Sequence, residues 1–399
     1  MAALERPIMP ASIWFAISAL LLLAGLHPFV TYPLSLWLID KLGRRPDASR
    51  PATAGRVPSF AICVCAYNEE ATIERKVRNM LDLRRRIGQL EILVYVDAAT
   101  DRTATLLRPF EQEILVHVAP RRLGKTNGMN LLVEHVTAEV VVFSDANVLL
   151  AEDAMDALAQ AFRDERTGCV CGHLKYVNPE GSPTSSVGSI YWRLEEWIKE
   201  RESGVGAVMG ADGSLFAVRR RLHRPVPANL IDDMFLSLSV LCDGYRVVRA
   251  KDAIAYEESV TAPVEEFRRK IRIACQAFNV HRELWPRLRK LPGIVLYMYI
   301  SHKLLRWLSI YSLAFAGLAA AAGLSAAGVP LVLTAIAIIA GAAGLWWAGS
   351  RRWPLFAQAR EVLIALIGAG IGVAEAFRGK QYQTWTPATS IRQSSEPQR

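Results

Sequence analysis

Cysteine is scarce in this chain, six among 399 residues, and its spacing excludes more than its number. The six fall as Cys63/Cys65, Cys169/Cys171, Cys242 and Cys275, whereas a structural zinc site calls for Cys-x2-Cys or wider pairs. Both close pairs lie in apolar, strand-like runs, AICVCAY and GCVCGHL, so small buried thiols are expected. Glycine is missing where a phosphate-binding loop needs it. The GKT at Gly124 to Thr126 has Ala119 five residues earlier and does not follow the first strand, which excludes a P-loop nucleotidase. Lys125 can still meet a phosphate from the start of a helix. Acidic residues are fewer than basic ones, 38 against 47, for a net charge of +9. With long apolar runs in the same chain, that surplus points to anionic lipid and then to nucleotide phosphates, not to nucleic acid.

The apolar residues are concentrated at the two ends. A charge-free run from Ile13 to Leu38 is followed by Lys41, Arg44, Arg45 and Arg50. It is long enough to cross a hydrocarbon core of roughly 30 Å. A cleaved signal peptide has a shorter core with its charges in front. The charge order favours an outside amino terminus and an inside central region. Two more runs, Trp307 to Leu324 and Pro330 to Trp347, are joined by an uncharged SAAGVP turn, and the second exits at Arg351 and Arg352. A last run, Val362 to Ala374, lies between Glu361 and Glu375 and is too short to span alone. An interfacial or re-entrant helix therefore competes there with a tilted span, and Arg378 and Lys380 lean towards an inside carboxyl terminus. The chain divides into a membrane segment (10–40), a cytoplasmic catalytic domain (55–260), amphipathic interfacial helices (261–300), a membrane region (301–378) and a cytoplasmic tail (379–399).

Between the apolar ends, strand and helix patterns alternate. SFAICVCAY, EILVYVDA, ILVHVAP and VVVFSDA read as strands; NEEATIERKVRNMLDL, GKTNGMNLLVEHV and AEDAMDALAQAF read as helices. Short links between them imply an α/β domain with an open, mostly parallel sheet covered by helices on both faces. Ligands of such sheets sit beyond the carboxyl ends of the strands. Polar residues gather at those ends: Tyr67, Asn68 and Glu69, then Asp97, then Asp145 and Asn147. Side chains two apart on an extended chain point the same way, so Asp145 and Asn147 could share a hard cation such as Mg2+ or Mn2+. An Asx turn with a helix cap explains the same two residues without a metal.

Several motifs in order, from about Pro58 to Gln276, resemble the family 2 inverting glycosyltransferases of GT-A fold, the family of the cellulose, chitin and hyaluronan synthases. CAYNEE looks like the first-strand nucleotide loop, with Ala66, Tyr67, Asn68 and Glu69 against the donor. VDAATDRT looks like the D-G-S-x-D segment, which puts Asp97 at the position that holds the base. GKTNGMN resembles G-K-x-x-A-x-N and carries Lys125. FSDAN takes the D-x-D place, with Asp145 and Asn147 as metal ligands; the neutral amide replaces the usual acid there. GADGSLFAVRR, with Asp212, resembles the acceptor-side segment. IDDMFLSLSVL resembles the catalytic segment, with Asp233 as base and Asp232 as its acidic neighbour. Read alone, the Asp232–Asp233 pair is equally a helix start.

In PVEEFRRKIRIACQAFNVHRELW, Val264, Phe267, Ile271, Ala274 and Phe278 make one helical stripe, which suits the membrane surface. Arg269 to Ile273 stand where the polymer synthases carry Q-x-x-R-W. Arg272 matches the arginine beside the diphosphate, Arg269 replaces the glutamine, and Ile273 replaces the tryptophan that offers a flat face to a sugar. The basic residues also suit plain lipid contact. QYQTWTPATSIR, with Trp385 and Arg392, loosely resembles the W-G-T-R tail of some relatives. The resemblance implies a multi-pass enzyme of the inner membrane. It would move a sugar from a nucleoside-diphosphate sugar, expected to be a UDP-sugar, onto a lipid-linked or saccharide acceptor in envelope or extracellular polysaccharide synthesis. A processive synthase that exports its polymer, and a silent scaffold of a polysaccharide assembly, are the competing readings.

Overall fold

Seven buried residues in a row, FAICVCA, form β1 (Phe60–Ala66) at the centre of a sheet. Alternate side chains enter different cores, as a two-residue period requires. Ile62, Val64 and Ala66 join Val77 and Met80 of α3 (Ile73–Ile87), while Ala61, Cys63 and Cys65 join Met129 and Leu132 of α5 (Lys125–His135). The chain is described by a computed structural model that covers residues 9–42, 56–177, 183–258, 263–351 and 353–384. Arg44, Arg45, Arg50, Arg352, Trp385 and Arg392 lie outside the described residues. The paired cysteines are free, buried thiols.

β1 pairs in parallel with β2 (Leu90–Val96) on one side and with β4 (Val140–Asp145) on the other. The remaining strands are β3 (Leu115–Val118), β5 (Leu149–Leu150), β6 (Thr167–Val177), β7 (Leu215–Arg219) and β8 (Arg246–Glu258). Their order is β3-β2-β1-β4-β7-β6-β8-β5. The sheet is mixed: parallel through β3-β2-β1-β4 and between β6 and β8, with β7 antiparallel to both its neighbours and β5 antiparallel to β8. The reversal at β7 matters for the site. Its register, Ser144 opposite Leu215, brings the entry to β7 alongside the exit of β4. Segments that enter and leave the sheet therefore meet at one edge of the crevice where strand order reverses.

The apolar runs become helices, with two corrections. The first run is not one straight span: α1 (Ala11–Leu26) and α2 (Thr31–Lys41) meet at 62°. Pro28 stands in the break and has no N–H to continue the ladder. The last run is not too short. It belongs to α13 (Pro354–Phe377), whose stretch from Phe356 to Phe377 is long and apolar enough to cross a membrane. The uncharged dozen is extended by Arg360 and Glu361, which pair at 3.2 Å within the helix. Two further helices have that length and character: Gly293–Ala326, made of α10 (Gly293–Tyr299), a π-helical turn (Ile300–Leu304) and α11 (Leu305–Ala326), and α12 (Leu331–Ser350). The apolar stripe of α9 (Pro263–Leu288) does not face lipid alone. Phe267 and Ala274 pack on Gly368 and Gly372 of α13, where an added Cβ on Gly372 would lie 2.7 Å from that of Ala274.

Candidate functional site

Loops at the ends of β1 and β2 are tied into one wall. Asn68, held at φ 53°, accepts the Thr100 N–H at 2.8 Å and donates to the Thr100 hydroxyl at 3.1 Å. The Glu69 N–H donates to the Thr103 hydroxyl at 2.7 Å. Asp97 is fully buried, and its two carboxylate oxygens accept the N–H groups of Leu123 at 2.7 Å and Gly124 at 2.9 Å. Asp97 thus fastens the loop before α5. The surface beside it is made by Tyr67, over whose ring the Arg122 guanidinium stacks at 3.7 Å. Ala66 is buried at the strand end beneath them.

Gly124 precedes α5 with φ 92° and ψ 159°, a conformation reserved for glycine. The Gln383 carbonyl oxygen lies where a Cβ would go. Residues after α13 therefore return to this loop, held by Gln276, which donates to the Tyr382 carbonyl at 3.0 Å. From the first turn of α5, Lys125 places its ammonium 2.8 Å from Asp145 Oδ1 and 3.4 Å from Asp232 Oδ2. Burial works against that charge, yet the two aspartates hold the lysine well above its usual range. One cation thus bridges β4 and the start of α8 (Asp232–Cys242).

Asn147 does not share a strand face with Asp145. Asp145 is the last residue of β4, and the Val148 N–H turns back to the Asp145 carbonyl at 3.3 Å. The strand-alternation argument fails at that turn. Asn147 Nδ2 donates instead to Glu257 Oε1 at 3.2 Å, near the end of β8. Burial, and to a smaller extent the Asp145 charge, push the Glu257 carboxyl up to about 7 against the pull of Arg269. Beneath the turn, Lys76 of α3 is fully buried and donates to the Ser144 hydroxyl at 2.8 Å and the Val148 carbonyl at 2.6 Å.

On the far wall, an added Cβ on Gly213 would lie 2.9 Å from Asp233 Oδ2 and 3.7 Å from Lys125 Nζ. Asp233 therefore faces the same space as Lys125. Burial, followed by the Asp232 charge, raises its carboxyl to about 7 against the pull of Lys125. Asp212 accepts the Ser214 N–H at 3.2 Å and hydroxyl at 3.0 Å, and lies 3.7 Å from Lys199. From α9, Arg272 donates to Gln276 at 3.0 Å and feels the charges of Asp145 and Asp232. Arg269 pairs with Glu266 at 3.7 Å and also feels the charges of Glu257 and Asp212. The named candidates thus fall on two walls bridged by Lys125, with Arg269 further along. Glu257, Arg122 and the returning Gln383 are additions.

Residues 61–226 match the model of the family described as Glycosyl transferase family 2. The beta-monoglucosyldiacylglycerol synthase of a Nostoc species is 22% identical over 270 residues, which cover 65% of this chain and 58% of that protein. The poly-beta-1,6-N-acetyl-D-glucosamine synthase of Staphylococcus aureus is 27% identical over 215 residues, covering 52% of this chain and 50% of that protein. The chain thus spans about half the length of these curated relatives, 58% of one and 50% of the other. Among solved structures, a mannosyltransferase from Pyrobaculum calidifontis in complex with GDP-Man and Mn2+ superposes with a TM-score of 0.67 at 24% identity, covering 92% of this chain and 99% of that one. That likeness establishes the architecture as the GT-A type.

Proposed function

We propose, on the premise that residues 61–226 are a family 2 glycosyltransferase domain, that this chain transfers a sugar from a nucleoside-diphosphate sugar to an acceptor at the membrane surface, with inversion. The observation that supports this most is the convergence of Asp145 from β4 and of Asp232 and Asp233 from the start of α8 around the ammonium of Lys125. The base stacks against Tyr67 beside Arg122, and Asp97 keeps the Gly124 loop in place beneath the diphosphate. Lys125 and Arg272 meet the diphosphate charge.

The residues present suit a divalent cation. Asn147 turns its amide nitrogen to Glu257 and so keeps its oxygen for a ligand, and the crowding of Glu257 by Asp145 is the kind a cation relieves. Asp145, Asn147 and Glu257 would offer oxygen donors, the kind that suits Mg2+ or Mn2+. Such an ion supplies Lewis-acid stabilisation of the leaving diphosphate. Asp233 takes the proton of the acceptor hydroxyl, for which a carboxyl near 7 is well matched to neutral pH. The new bond then forms at the anomeric carbon opposite the departing diphosphate. Ile273, in the tryptophan place, supports single transfer over processive polymerisation. The acceptor is a lipid-linked or membrane-proximal saccharide or glycolipid precursor. The basic flanks of the apolar helices favour a multi-pass protein of the cytoplasmic membrane with residues 55–260 inside.

The test supplies UDP- and GDP-sugars in turn to the purified full chain in membranes and measures nucleoside diphosphate release. Asp233→Asn is expected to reduce turnover by about 100-fold or more with nucleotide binding retained. Unchanged turnover in that variant removes Asp233 as the base.

A further inference from the structure

The π-helical turn Ile300–Leu304 interrupts the passage from α10 into α11, and such turns are frequent at functional sites. It directs Lys303 at the acceptor wall of the cleft. A Cβ built on Gly210 would lie 3.6 Å from Lys303 Cε and 3.8 Å from its Nζ, with Met234 Cγ also at 3.8 Å. Gly210 stands two residues before Asp212, and Met234 follows Asp233. A lysine at the end of an apolar span ordinarily extends its ammonium to the headgroup layer. Lys303 turns to the Gly210 loop instead.

A buried network holds the turn in that orientation. Glu202 is fully buried and accepts the Tyr32 hydroxyl at 2.6 Å and the Met209 N–H at 3.0 Å; His302 Nδ1 lies 2.7 Å from it. The other ring nitrogen of His302 faces Glu195 at 3.2 Å, and Arg306 pairs with that same carboxylate. Lys303 is the loosest member, 3.7 Å from Glu195 Oε1 and beyond hydrogen-bond distance. His302 and Arg306 are the closer partners of Glu195, so the ammonium of Lys303, with three donors and the longest contact of the set, is the one an entering anion engages most readily. Its side chain keeps 17% exposure.

We infer that Lys303 recognises a phosphate in the head of a lipid acceptor, beside the hydroxyl that Asp233 deprotonates; this rests on the transferase reading of the cleft. The acceptor class is a lipid bearing both a phosphodiester or phosphate and a free hydroxyl. The hydroxyl oxygen bonds to the anomeric carbon and its proton passes to Asp233. The bond from that carbon to the diphosphate breaks, and the nucleoside diphosphate leaves. A neutral lipid such as diacylglycerol offers the ammonium no partner.

Calorimetry on the full chain in neutral detergent tests this with dihexanoyl phosphatidylglycerol, dihexanoylglycerol and inorganic phosphate. The phosphatidylglycerol is expected to bind at least ten-fold more tightly than either of the others. Lys303→Met is expected to weaken it about ten-fold and Lys303→Arg to restore most of the loss. Arg378→Met, on an exposed helix end, should leave it unchanged, and nucleoside diphosphate affinity should stay the same in the Lys303 variants. Equal phosphatidylglycerol affinity in wild type and Lys303→Met overturns the inference. So does equal affinity for phosphatidylglycerol and dihexanoylglycerol, or for phosphatidylglycerol and inorganic phosphate, the last meaning an anion site without lipid recognition. Lipid selectivity together with no release from any donor sugar refutes the transferase reading and leaves the lipid site standing.

Discussion

Replacing Asp232 by Asn removes a charge from the wall of the site while leaving its shape. Asp233 is raised to about 7 by burial first and by Asp232 second, against Lys125. A base must be unprotonated to act, so kcat/KM of the wild type should fall about ten-fold per pH unit below 7 and level off above it. Two charges ~7 Å apart at an effective dielectric of ~20 interact by about 2.4 kcal/mol, or roughly 1.7 pH units. Lys125, 3.4 Å from Asp232, already offsets part of that charge. Asp232→Asn should therefore move the acid limb down by about one pH unit. The assay is the initial rate of nucleoside diphosphate release between about pH 5.5 and 9 at donor concentrations below KM, where kcat/KM reports the free enzyme. A limb that stays near pH 7 would refute control of the base by Asp232, and an upward move would reverse the sign of the reasoning.

Gly124→Ala places a side chain at φ 92° and against the Gln383 carbonyl; it should cost about 1–3 kcal/mol in that loop and weaken nucleoside diphosphate binding at least ten-fold by calorimetry. Asn147→Asp replaces the amide that donates to Glu257 with a second acid. The melting temperature should fall in metal-free buffer, and the rise on adding Mn2+ should exceed that of the wild type. Gly372→Leu forces a side chain into Ala274 and the backbone of α9 and should destabilise the α9–α13 contact by about 1–3 kcal/mol, read as a lower melting temperature.

The order of strands and helices in the central region was readable because β1, β2 and β4 are continuous apolar runs bounded by polar loops. The direction of β7 was not. LFAVR reads as a strand either way, and only its pairing with Val140 to Ser144 makes it antiparallel. The site was legible where residues sit at strand ends, as Asp97 and Asp145 do. It was less legible where a turn intervenes: between Asp145 and Asn147 the chain leaves the strand, so their two-residue spacing does not set where the two side chains point. Glu257 escaped notice because the end of β8 carries adjacent acids with no motif, and its relation to Asn147 spans 110 positions. Lys303 was hidden by composition, as a lysine close to Arg306 and just before an apolar run reads as a flank of the span. Its meaning comes from the π-helical turn, which has no sequence signature here.

The bridge made by Lys125 has a consequence for the order of events. In the empty cleft its ammonium is divided between Asp145 and Asp232, and its charge lowers the proton affinity of Asp233. The diphosphate of a bound donor is a stronger attraction for that ammonium than either carboxylate. A nucleoside-diphosphate sugar brings about two negative charges, and a divalent ion brings two positive ones, so to first order these cancel at Asp233. What remains is the departure of Lys125 from Asp232, which leaves the Asp232 charge less compensated. Asp233 then holds a proton more strongly, and a stronger base stands ready only when a donor is present. The acid limb of kcat, which reports the donor complex, should therefore lie above the limb of kcat/KM in the same enzyme. With Lys125→Met the two limbs should coincide, because no ammonium moves. Coincident limbs in the wild type would mean that the lysine keeps its hold on Asp232 throughout, and the base would then have the same strength with or without donor.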